Sequence, residues 1–200
     1  DAVLVLLHLE RVAPQLANRF TDLQGEELDS CLDALENRIL GLADGIARHS
    51  GALILISNMQ SPIRPSWGIL DGRGRPGQRD AIARLNSRIS QGLSQRDSAY
   101  VLDIERLTAA LGDGAANDPR NWHRAQAPWK PALLEAIARE SARHLRPLRS
   151  LTKKCVVLDC DNVLWGGVAA EVGLSEIGLG PEPAGSPFVS LQYALRAVLA

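Results

Sequence analysis

Short apolar runs alternate with amphipathic stretches along most of the chain, and this alternation constrains the fold more than any other feature. Residues 2–9, 52–57 and 99–103 are apolar and partly β-branched, and a fourth run over 155–158 ends at Asp159. The spacing predicts strands at all four. Between them, Leu28, Cys31, Leu32, Leu35, Ile39, Leu42 and Ile46 recur at intervals of three, four and seven, so a helix is expected over about 23–49. Ile82, Leu85, Ile89 and Leu93 predict another over about 78–95, with further helices over 105–111 and 130–145. Residues 61–77, rich in Pro, Gly and Arg, and the polar stretch 112–128 read as loops. Strands alternating with helices imply a parallel sheet with right-handed crossovers, so the class is α/β.

Two units are expected, 1–147 and 148–200, joined by a short basic connector over 147–154. The second holds one strand, a Gly-rich loop and a helix over about 187–200. The chain opens on Asp1, almost directly in a strand, and stops at Ala200 inside a helix. It reads as a piece of a longer protein.

Apolar residues make up 46% of the 200, enough for a real core, and charged ones 22%. A formal net charge of -1 argues against a nucleic-acid partner, which selects for a basic face. No apolar run approaches the roughly 18–20 residues that span a bilayer, and no basic leader opens the chain. Cys31, Cys155 and Cys160 are too few and too odd for a disulfide framework; they read as reduced thiols of a cytoplasmic protein.

The chemistry concentrates at Asp159-Cys160-Asp161. On an extended chain, residues two apart share a side, so both carboxylates would face one way at a strand end. That end is where ligands bind in open α/β sheets. Such a pair suits a hard divalent cation such as Mg²⁺, and it suits phosphoryl transfer with one carboxylate as nucleophile and the other as acid and base. Backbone N–H groups of the following turn can take phosphate oxygens.

The run Val156 to Asp161, with Val163 after it, resembles the first motif of the haloacid-dehalogenase superfamily, Asp-x-Asp-x-Thr/Val after a hydrophobic strand. Its extension Asn162-Val163-Leu164-Trp165-Gly166-Gly167-Val168 is similar to one branch, the FkbH-like family. So are Gly173-Leu174, Ile177-Gly178-Leu179-Gly180, Phe188 and Gln192. The resemblance covers about residues 154–200. The upstream 150 or so residues are more weakly similar to that family's N-terminal domain, which is related in fold to the SGNH hydrolases. It implies a three-layer α/β/α unit with a mainly parallel sheet, followed by the first β-α portion of a Rossmann-like dehalogenase domain.

The implied activity belongs to polyketide biosynthesis. A glyceryl unit is taken from 1,3-bisphosphoglycerate, phosphate is removed, and the unit passes to the phosphopantetheine thiol of an acyl carrier protein. Carried over, Asp159 is the phosphoryl-accepting nucleophile and a Mg²⁺ ligand, and Asp161 is the acid/base, binding Mg²⁺ through its backbone carbonyl. Asn162, Trp165, Gly166 and Gly167 fall in the substrate-binding turn. A cysteine thioester is implied: Cys160 lies between the acids, and Cys155 about 13 Å away along a strand. The superfamily's remaining Ser/Thr, Lys and acidic pair would lie beyond Ala200, so this piece alone is expected to be inactive.

Two other segments bear on function. Asp118 through His123 resembles the Asp/His block of SGNH hydrolases, with Asn58 as an oxyanion-hole relic, but no Gly-Asp-Ser nucleophile accompanies them. His123 is expected to pack between Trp122 and Trp129, and His8 to be a hydrogen-bonded structural residue at a strand end. The loop bearing Arg64, Trp67, Arg73, Arg75 and Arg79 is a solvated loop or a surface for an acidic carrier.

Overall fold

The structure, a computed structural model, describes every residue except 24, 148–152, 154, 174 and 200. Most of the expected connector, with Lys154 and Leu174 of the motif region, lies outside the described residues. The chain divides into two compact units, Asp1–Leu151 and Thr152–Ala200.

The first unit is α/β. Strand β1 (Ala2–Val5) leads through short helices α1 (Leu9–Val12) and α2 (Pro14–Asn18) to the long α3 (Glu26–His49). Then follow β2 (Leu53–Ser57), α4 (Gln78–Ser94), β3 (Ala99–Leu102) and α5 (Ile104–Leu111). The three strands form one parallel sheet in the order β1-β2-β3, with Val5 opposite Ile56 and Ile56 opposite Val101. β2 is central, and all five of its residues are buried. Ile54 and Ile56 meet Leu32 and Ile39 of α3 and Ile82, Leu85 and Ile89 of α4 in the larger core.

The expected strand over 2–9 stops at Val5, and its residues alternate between exposed and half-buried because β1 is an edge. Its ladder ends at a side chain. The Leu7 amide donates to Ser57 Oγ at 2.7 Å, and the chain then turns into α1. Residues 112–128 are not a plain loop either. They hold α6 (Asp113–Ala116) and α7 (Pro119–Ala125), ahead of α8 (Pro131–Leu145). Asp118 caps α7 by accepting from the Arg120 amide. Leu133 and Ile137 of α8 close a second core with Leu102, Ile104 and Leu107.

α3 and α4 lie side by side. Gly92 of α4 lies so near Leu40 that a Cβ there would strike it. Arg84 pairs with Asp29 at 2.8 Å, Arg88 with Asp33 at 2.6 Å and Arg96 with Asp44 at 2.6 Å. The start of α4 is tied down by Gln78, which is buried although polar. Its amide nitrogen donates to Leu16 O at 2.6 Å and Ala17 O at 3.1 Å, and its oxygen accepts from the Ser66 amide at 2.7 Å. Asp71 accepts from the Gln78 amide at 2.7 Å, and Gly77 leaves room for that contact.

The second unit holds α9 (Ala169–Val172) and α10 (Ser186–Leu199). The strand expected to end at Asp159 is not formed: residues 155–159 carry no strand, and Val156 is 61% and Val157 89% exposed. Unpaired backbone N–H and C=O groups need a neighbouring strand to satisfy them, and no described residue of 152–200 supplies one. No apolar side chain described in this unit is buried. No described helix is long and apolar enough to cross a membrane.

Candidate active site

The carboxylate pair sits where the chain turns, not on an extended segment. Leu164 N donates to Cys160 O at 2.8 Å, and Asn162 adopts a left-handed φ of 56°. The two-residue alternation therefore stops at Asp159, and the expectation that both carboxylates face one way along a strand loses its geometric basis. Asn tolerates positive φ better than most residues. Here its side chain also closes the loop, Oδ1 accepting from the Gly167 amide at 2.8 Å.

Asp161 is held from two directions. Its Oδ1 accepts from the Trp165 indole Nε1 at 3.0 Å and from the Ala169 amide at 3.2 Å. The second donor lies in the first turn of α9. Trp165 thus spends its only polar donor on Asp161. Asp159 is exposed, and its Oδ1 accepts from the adjacent Cys160 amide at 2.8 Å. Asp159 Oδ2 and Asp161 Oδ2 accept no hydrogen bond from the described residues, so Asp159 keeps an oxygen for a cation and Asp161 one for a proton. Hard oxygen donors of this kind suit a small divalent ion that retains waters. Among the described residues, no three His, Cys, Asp or Glu side chains converge as a metal site.

The Gly-Gly pair has a packing role. Gly166 and Gly178 exchange both backbone bonds, at 2.9 and 2.7 Å, and a Cβ on Gly166 would lie 2.9 Å from Phe188 Cε2. Gln192 of α10 donates to Leu164 O at 2.8 Å. Asp161, Asn162, Trp165, Gly166 and Gly167 are thus knit into one loop, braced by α9 and α10. The Ala169 amide, as a backbone donor, leaves no mark in side-chain identity; its one signal is the position eight residues after Asp161.

The cysteines divide by environment. Cys155 and Cys160 are exposed, whereas Cys31 packs on the core from α3, where burial pushes its thiol pKa up.

A separate cleft of about 580 Å³ opens in the first unit, just beyond the C-terminal ends of β1 and β2. His8, Gln60, Ser61, Asn117 and Trp122 are among its walls. Here the histidine expectation is corrected. His8, not His123, packs against both tryptophans, 4.5 Å from Trp122 and 6.3 Å from Trp129 between ring centroids, and it lies past the end of β1 with its buried Nδ1 unpaired rather than hydrogen-bonded. His123 is exposed on α7, because neighbours on a helix point about 100° apart. Asp118 is engaged elsewhere: Arg120 donates to it through backbone and guanidinium and lowers its pKa to about 2. Asn58 is a structural tie, donating to Asp103 at 2.7 Å and accepting from the Glu105 amide at 3.1 Å.

The fold has a solved counterpart. It is similar to the crystal structure of the N-terminal part of the protein BF1531 from Bacteroides fragilis, containing a phosphatase domain and complexed with Mg. The TM-score is 0.77 over 99% of this chain, at 16% identity. This chain spans about half, 51%, of the length of that one. At that identity the likeness is one of fold. No family model matches the chain, and no curated protein matches it.

Proposed function

We propose that Asp159, Cys160 and Asp161 form one corner of a Mg²⁺-dependent phosphoryl-transfer site of the haloacid-dehalogenase kind. The observation that carries this is the pairing of an anchored Asp161 with an exposed Asp159. A nucleophile must be free to reach phosphorus, while an acid/base works best at a fixed position. The fold likeness to a chain that contains a phosphatase domain and binds Mg supports the same reading.

In the finer form, the reaction loads a glyceryl unit from 1,3-bisphosphoglycerate onto an acyl carrier protein, and the first unit is an SGNH-like domain without hydrolase activity. A Cys160 thiolate attacks the acyl-phosphate carbon and expels phosphate, leaving a thioester. An Asp159 oxygen takes the remaining phosphoryl group, the departing glyceryl oxygen receives its proton from Asp161, and water then releases phosphate from Asp159. The carrier thiol accepts the acyl group from Cys160. Asp159 and Asp161 would hold Mg²⁺, which offsets phosphate charge when bound. Asn162, Trp165, Gly166 and Gly167 shape the turn that faces substrate. The exposed Arg64, Arg73, Arg75 and Arg79 offer an acidic carrier its counter-charge, with Arg75 lying over Trp67 at 3.4 Å. A cytoplasmic location fits exposed free thiols.

A plain Mg²⁺-dependent phosphatase is the second reading, favoured by the counterpart's phosphatase domain. Incubating the protein at its full natural length with the bisphosphate, carrier and Mg²⁺ separates them by intact-mass spectrometry. Glyceryl transfer to carrier is expected, and phosphate release without transfer favours the phosphatase. Asp161→Asn should slow turnover by roughly 10²–10⁴, and Asp159→Asn should abolish it. Function intact in Asp159→Asn would leave a carrier-docking module. A glyceryl adduct that survives Cys160→Ala moves the thioester to another cysteine.

A further inference from the structure

We propose that the cleft of the first unit binds a neutral, polyhydroxylated small molecule of the sugar or polyol class. This does not depend on the chemistry assigned to Asp159 and Asp161, since every residue lining the cleft lies between His8 and Pro128.

At about 580 Å³ the cleft has the size of an ordinary small-molecule site. Part of the polar wall is already engaged. Gln60 donates to Thr108 and accepts from the Trp129 indole, and Ser61 is bonded through its hydroxyl and amide to Glu105. Two lining residues differ from the rest in holding a polar atom that is both buried and unpaired. His8 Nδ1 and Asn117 Oδ1 are buried without any hydrogen-bond partner. Buried polar groups are almost always paired, so two orphans beside one cleft point to a partner that reaches them when the wall side chains shift.

Their chemistry specifies the ligand. Asn117 donates through its Nδ2 to Asp113 Oδ1 at 2.7 Å, which fixes the amide so that the orphan atom is an acceptor. It needs a donor, which a phosphate dianion or a carboxylate lacks. His8 is wedged against two indoles and its pKa is lowered by burial, so it is a neutral imidazole with one donor and one acceptor nitrogen. A hydroxyl donates and accepts, and so can answer both. Charge agrees: Glu10 and Asp113 line the cleft against a single Arg64, giving no cationic surplus to draw an anion. Both orphan atoms are closed to solvent, so binding requires a side-chain rotation at the wall, a change common on complex formation.

The test titrates the 200-residue chain with myo-inositol, D-glucose and inorganic phosphate, following the Trp122 and Trp129 indole N–H signals by NMR. Saturable shifts with myo-inositol or D-glucose, and none with phosphate, are expected. Asn117→Leu should weaken binding at least tenfold. His8→Phe, which keeps a ring against the indoles but removes both nitrogens, should do the same with the fold intact by circular dichroism. No saturable shift with either neutral probe, an equal response to phosphate, or unchanged binding in the folded His8→Phe variant overturns the proposal and leaves a hydrated cleft.

Discussion

Leu-Ile-Leu-Ile-Ser of β2 and Cys-Val-Val-Leu of residues 155–158 are runs of the same kind, and the fold treats them oppositely. The first is flanked by β1 and β3 and covered by α3 and α4, so every residue is buried. The second meets no strand among the described residues and stays in solvent. An apolar run becomes a strand only when other segments satisfy its backbone and cover its side chains. The rest of each unit follows suit. The first has two buried cores, while the second holds its loop by hydrogen bonds around Asp161, Asn162 and Gly166.

That contrast can be broken at graded points. Ile56→Ala should cost most, about 3 kcal/mol, because it opens a cavity under the central strand. Urea unfolding that shows a loss below about 1 kcal/mol would mean the site collapses freely. Gln78→Leu comes next, at about 2 kcal/mol, since Leu16 O, Ala17 O and the Ser66 amide lose their partner together. The same unfolding curve reads it, with faster exchange at the Ser66 amide. Trp165→Phe removes one hydrogen bond from Asp161 and should cost about 1 kcal/mol locally. Amide exchange at Ala169 should then speed up about fivefold, and an unchanged rate would mean the indole does not hold the loop. Val157→Thr should be the smallest, within about 0.5 kcal/mol, because the side chain is exposed. A larger loss would show that Val157 is covered in solution.

The elements that carry their own periodicity were legible in the sequence. α3 and α4 lie where Leu32, Ile39, Ile82 and Leu85 mark an inner face, α8 falls within the expected 130–145, and β2 and β3 lie where the apolar runs predict them. What escaped depends on distant partners. β1 is shortened by the hydroxyl of Ser57, fifty residues away. α6 and α7 have four and seven residues, too short to show a period; the Asp118 cap of α7 and the Asn117–Trp129 bridge between them and α8 define them. At the motif, residue types pointed to Asp159 and Asp161, but the turn at Asn162 cancels the strand alternation that would have aimed them. The indole bond from Trp165 to Asp161 joins residues four apart in a turn and follows no strand or helix rule.

The three arginine–aspartate pairs between α3 and α4 act together as a vernier. Their numbers rise in step, 29 with 84, 33 with 88 and 44 with 96, so the two helices run in the same direction. Sliding α4 by one turn either way keeps one match and spoils the others, and in one direction it brings Asp80 to face Asp29. The same slip would carry Arg88 or Arg96 to the place of Gly92, where any Cβ strikes the Leu40 side chain and forces it to move. Pairs that are individually weak at the surface thus become an indexing device, which lets a three-stranded sheet keep a single register under a 24-residue helix.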